Sequence, residues 1–138
     1  MDREVIEQKL ESLRRCLWRV AEKCPADPVI LSQDPDLQDI VTLNLSRAVR
    51  LRVDHGAHQI AEMDVPPLDT MGQTFDALTH AGAIPEGLAQ QLKKAVGFRN
   101  IAVHHNEAVN WTIVHRIAMY HLNDFTDFAK VVAARLVR

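Results

Sequence analysis

The segment GFRNIAVHHNEAVNW, residues 97–111, gathers a guanidinium, a carboxamide and two imidazoles (Arg99, Asn100, His104 and His105) at the end of an otherwise aliphatic run. Crowding such groups is costly unless they face solvent, one another or a ligand. Arginine stays charged and offers a planar fork of donors to phosphate oxygens, while histidine accepts and returns a proton near neutral pH. Together they supply what cleavage of an RNA phosphodiester needs without a metal. One group shuttles the proton of the 2′-hydroxyl or the leaving oxygen, and the other meets the charge that develops at phosphorus.

The spacing sets a geometric condition. Residues five apart on a regular helix point about 140° from each other and stand roughly 7.5 Å apart along the axis. One straight helix therefore cannot close Arg99 and His104 onto one atom. Either the helix frays or bends between them, or two copies of the segment meet across a dimer axis and share a composite cleft. The second is the main expectation, with some contribution from the first.

The elements that must position these groups read as helices. From about Arg3 to Cys24, the residues Ile6, Leu10, Leu13, Leu17 and Val20 recur at steps of four and three, one face of an amphipathic helix. Pro25 and Pro28 stop it, and the stretch to Pro35 reads as a polar connection, with Asp34 placed to cap the next helix and Pro35 in its first turn. A long second helix runs from about Asp36 to Glu62, with a core side (Leu37, Ile40, Val41, Leu45, Ala48, Val49) and a polar side. The Pro66–Pro67 pair ends that region. A short third helix, from about Thr70 to Ala81, is fastened by Met71, Phe75 and Leu78 and stopped by Gly82. Pro85 opens the fourth, which carries Leu88, Leu92, Ala95, Val96 and Val103 and ends in the reactive segment. After a polar gap at residues 105–110, one last helix carries Ile113, Val114, Ile117, Leu122, Phe125, Phe128, Val132 and Leu136. The expected fold is all-α: an antiparallel bundle of four long helices plus one short helix, residues 1–138 forming a single domain.

Composition agrees. The chain has 138 residues, 47% of them hydrophobic, which is enough to bury a core without disulfide or metal staples. A net charge of -2 excludes a polycation, so contact with nucleic acid must come from a local basic patch. The N-terminus MDREVIEQKL is charged where a signal peptide is apolar, and no run is long enough to span a bilayer, so a cytoplasmic protein without membrane attachment is expected. Cys16 and Cys24 match no zinc or redox spacing and read as packed thiols.

The run Arg99-Asn100-Ile101-Ala102-Val103-His104 resembles the R-N-x-x-V-H form of the R-x4-6-H motif of HEPN domains, specifically their HepT-like branch, and Val96-Gly97-Phe98 fits that branch's approach to the motif. The resemblance extends over nearly the whole chain, in helix order, in the short third helix before Gly82-x-Ile84-Pro85, and in the polar second helix. It implies a homodimeric bundle acting as a metal-independent ribonuclease toxin with no cofactor, often paired with a nucleotidyltransferase-like antitoxin. Arg99 and His104 fall on the family's catalytic positions and Asn100 on its accompanying polar one. His105 is a substitute, since R-x5-H is also a permitted spacing. In many relatives the motif continues as H-x-Y, the tyrosine being where the partner attaches AMP. Here His104-His105-Asn106 stands instead, and Asn106 has no phenolic oxygen to modify. An antitoxin would then act by binding alone or at another residue, Tyr120 being the sole tyrosine. The rival reading keeps the same groups in a non-catalytic helical module that holds a nucleotide or a partner protein.

Other candidates weigh less. Asp54, His55 and His58 form D-H-x-x-H, whose imidazoles share a helix face, but no third ligand stands at helical spacing, so a polar interface is expected and no metal. Asp54 enters as a supporting residue, because the second and fourth helices can adjoin and its carboxylate can orient Arg99 or an imidazole. Arg47, Arg50 and Arg52, with Lys93 and Lys94, are candidates for a positive field that guides RNA. Trp111 and Tyr120 read as packing residues before base-stacking ones. His80, His115 and His121 receive no functional role.

Overall fold

In the computed structural model the described residues are 3–61, 70–104 and 109–136, and among them the chain forms seven helices and no strand. Four are the expected ones: α1 (Arg3–Lys23), α3 (Pro35–Ala61), α4 (Met71–His80) and α5 (Glu86–His104). A further helix, α2 (Pro28–Gln33), occupies the connection expected to be irregular, and the expected last helix is divided into α6 (Trp111–Tyr120) and α7 (Leu122–Leu136). The architecture remains a helical bundle. Its hub is α3, which packs against α1 on one side and against α4, α5 and α7 on the others.

Local chemistry accounts for each boundary. The Asp34 carboxylate accepts from the backbone N–H groups of Asp36 and Leu37 at 3.0 and 3.2 Å, and Pro35 fills the first turn of α3. The same Asp-Pro pair starts α2, where Asp27 accepts from the Val29 N–H at 2.9 Å and Pro28 follows. That short helix exists to seat Leu31, which is completely buried. Thr70 and Gln73 form a reciprocal capping box at the start of α4. Its end is a Schellman turn: the N–H of Ala83 donates to the Leu78 carbonyl and that of Gly82 to Thr79, with Gly82 at φ 74° as the left-handed residue the turn requires.

The break between α6 and α7 falls at His121, whose backbone leaves the helical region (φ -123°, ψ 12°). The chain can then place α6 against α2 and α5 while α7 packs on α3 and α5. Between them the core holds Leu13, Leu45, Phe75, Leu78, Leu92, Phe125 and Phe128 with almost no exposure. Residues 62–69, with Glu62, Pro66 and Pro67, lie outside the described residues, as do the side chains of Val132 and Leu136. Among the described residues no helix is long and apolar enough to cross a membrane.

Candidate active site

Helix α5 carries the reactive residues, and its core face decides where they point. Leu92, Ala95 and Val96 are buried, and Arg99 stands seven, four and three residues further on, so it continues their stripe and is half-buried. Asn100, one position on, is exposed. The helix runs to His104, its final residue, so both candidate catalytic positions lie within it. The side chain of His104, and His105 and Asn106 entirely, lie outside the described residues.

Helix α5 is anchored upstream of the site, and α6 is anchored downstream of it. Upstream, Lys93 donates to both oxygens of Asp76 on α4, at 3.0 and 3.2 Å. Downstream, the Asn110 side chain caps α6 by accepting from the Thr112 and Ile113 N–H groups. In α6, His115 is buried, and its Nε2–H donates to the carbonyls of Pro25 at 2.9 Å and Ala26 at 3.1 Å, tying the helix to the α1–α2 turn.

The supporting candidates on α3 are only partly brought to the site. As expected, α3 packs against α5. The Asp54 carboxylate pairs with Arg50 at 3.3 Å along its own helix. His55 turns into the bundle and is buried, while the side chain of His58 lies outside the described residues. Among the described residues no three His, Cys, Asp or Glu side chains gather as a metal-ligand set.

The expected basic field is dispersed. Arg52 is a correction: it is 0% exposed, its three guanidinium nitrogens have no hydrogen-bond partner, and its charge lies 5.8 Å from the ring centroid of Phe128. Burial pushes its pKa down to about 10, which still leaves it charged at neutral pH. Arg50 and Lys93 are held by carboxylates, whereas Arg47 and Lys94 are exposed. Both cysteines are buried, and burial pushes both thiols up. At Cys16 the charges of Arg47 and Arg15 oppose that rise without cancelling it.

One feature escaped the residue-by-residue reading. A groove of about 550 Å³ runs between α5 and α6, beginning beside the reactive segment. Its apolar walls include Phe98, Ile101, Ile113 and Ile117, and Lys94 and Arg116 stand among the residues that line it. The signal was present in α6, where Ile113, Arg116, Ile117 and Tyr120 recur at steps of three and four and hence share a face. Tyr120, expected to pack, is 71% exposed.

A helical bundle that presents an arginine and a histidine at the end of one anchored helix is the class of domain the motif resembles, and comparison with known proteins identifies the branch. The chain belongs to the HepT-like ribonuclease family, whose model, described as Ribonuclease HepT-like, matches residues 5–132. It is 33% identical over 131 residues to the mRNA nuclease HepT of Shewanella oneidensis, covering 95% of this chain and 98% of that protein. The fold superposes with a TM-score of 0.86 on a tri-AMPylated HEPN toxin from Shewanella oneidensis in complex with an MNT antitoxin, at 33% identity, covering 97% of this chain and 99% of that one. A cytosolic protein of unknown function from Bacillus subtilis shares the fold alone, at 18% identity and a TM-score of 0.80 over 98% of this chain and 90% of that one.

Proposed function

We propose that this chain is the toxin of a toxin–antitoxin pair and cuts RNA in the cytoplasm, as a homodimer, through Arg99 and His104 and without a metal. The observation that carries this reading is the Arg99-to-His104 motif on α5 of a chain matched by the HepT-like ribonuclease family over residues 5–132. Because α5 is helical to His104, regular helix geometry sets the two positions about 140° apart around its axis on one copy. A composite cleft between two copies is the arrangement that brings an arginine and a histidine onto one phosphate.

In that cleft one His104 takes the proton of the 2′-hydroxyl as O2′ attacks phosphorus. The imidazolium so formed returns a proton to the 5′-oxygen as the P–O5′ bond breaks. Arg99 binds the scissile phosphate and meets the charge that builds on its oxygens. Asn100 and Asp54 support the site, and His105 is the substitute base. The cognate antitoxin is nucleotidyltransferase-like, as in the solved complex of the Shewanella relative. With Asn106 in place of an acceptor tyrosine, it silences this chain by binding.

The test is incubation of the purified chain and its Arg99→Ala and His104→Ala variants with total RNA, with and without chelator. Parent cleavage is expected to resist chelator, and each variant to lose about 10²-fold or more in rate while staying a folded dimer. Variants that cut as well as the parent would refute the site. Intact RNA with measurable nucleotide or partner binding would refute the nuclease.

A further inference from the structure

We propose that the α5–α6 groove is a track for single-stranded RNA flanking the cleavage site, with Lys94 and Arg116 taking phosphates and Tyr120 stacking a base at its far end. The proposal rests on the ribonuclease reading above and extends it to the path of the substrate.

Ile101 lines the groove and stands three residues before His104, so the groove opens within about 5 Å, along the helix axis, of the catalytic turn. From Lys94 to His104 is roughly 15 Å of helix. About four stacked nucleotides span that length at 3.4 Å each.

The surface of the groove matches such a ligand. Ile101 and Ile113 are 41% and 46% exposed, large apolar groups held out of the core on facing helices. Beside them Lys94 and Arg116 have no ion-pair partner among the described residues, and none of the lining side chains is a carboxylate. At the groove's end Asp124 is taken by His121, Nδ1 to Oδ2 3.2 Å. Apolar walls with unmatched cations suit a chain of bases on a phosphate backbone. They suit a second copy poorly. An isologous interface sets a patch against itself, so a groove laid on its own copy would bring cations against cations, with no carboxylate among the described lining residues to receive them.

Tyr120 does not itself line the groove, but it follows the lining residues Arg116 and Ile117 by four and three residues, so it stands on their side of α6, at the helix's last residue and beside the lining His121. A phenol left 71% exposed there is placed as a stacking platform.

The experiment uses the His104→Ala dimer, so that RNA stays intact, and a short fluorescent 2′-O-methyl oligonucleotide followed by anisotropy across a salt series. Changing Lys94 and Arg116 together to Gln should weaken binding about tenfold or more and flatten the slope of log K against log salt by about 1.4, two phosphate contacts' worth. Tyr120→Ala should weaken it roughly fivefold to a hundredfold, and Tyr120→Phe, which keeps the ring, should restore most of the loss. Lys130→Gln, a charge removed on the α1–α7 side, controls for bulk charge. In the active background the groove variants should raise KM and leave kcat.

Affinity and salt slope equal to the parent's would overturn the proposal, as would a loss matched by Lys130→Gln. A third contrary result is Ile113→Asp yielding monomers while the Lys94 and Arg116 changes leave binding intact, which would make the groove a subunit interface. In each case chelator-resistant cleavage by the parent shows whether the nuclease reading itself still stands.

Discussion

A guanidinium held entirely inside a bundle loses its hydration, at a cost of several kcal/mol unless carboxylates or carbonyls replace the water. Among the described residues Arg52 has no such replacement, and the ring of Phe128 lies beside it. Its pKa falls to about 10, so between there and the ordinary arginine range the unfolded chain binds more protons and stability rises with pH. Below that window the full penalty applies. Arg52→Met should therefore raise the melting temperature at neutral pH by about 3–10 °C, from a gain of about 1–4 kcal/mol, and the gain should shrink above pH 10. A lowered melting temperature in calorimetry would mean that the guanidinium is compensated in the assembled protein. Position betrayed this burial where residue type did not. Arg52 stands three, four and seven residues after Val49, Ala48 and Leu45, just as Arg99 follows Val96, Ala95 and Leu92. The expectation of a solvent-facing field weighed the charge above the period. The period decides.

Helix α3 can be a hub because one of its turns has no side chain where three neighbours converge. A Cβ on Gly56 would lie 2.6 Å from Cγ2 of Thr74, 3.3 Å from Leu78 and 3.4 Å from the Phe128 ring. Thr74 and Phe128 are buried, and Phe128 is further held by its T-shaped contact with Phe75. Gly56→Ala gains helix propensity but should still destabilise the fold by about 1–3 kcal/mol, measured as a shift in the urea midpoint. Helix starts and stops were mostly legible, because Asp34-Pro35, Thr70 and Gly82 are local signals that work through their own backbone neighbours. Two elements were missed. The Asp27-Pro28 start of α2 repeats the signal at α3, but six residues are too few for periodicity to show. The residues expected on the core face of the last helix step by five from Ile117 to Leu122, with the exposed Met119 between them, and that is where the chain turns at His121. The candidate site was legible as a motif, because its members lie within one helix. The groove beside it was not, since it requires α5 and α6 to be set side by side.

At the scale of the whole molecule, the proposed site belongs to two chains, and that has a consequence for mixtures of inactive variants. If each cleft pairs Arg99 of one copy with His104 of the other, a heterodimer of Arg99→Ala and His104→Ala chains has one cleft with both groups altered and one with both intact. If instead each chain uses its own pair, every cleft in that heterodimer lacks one group. Chains exchanged at random give half heterodimers, each with one of two clefts restored. Co-refolded equimolar variants should then recover about a quarter of parental RNA cleavage, although neither variant cuts alone. The rate should scale with the heterodimer fraction resolved by native mass spectrometry. Heterodimers that form and stay inactive would place both groups on one copy, or show that each cut needs all four, and would require the route from a helical α5 to the scissile phosphate to be redrawn.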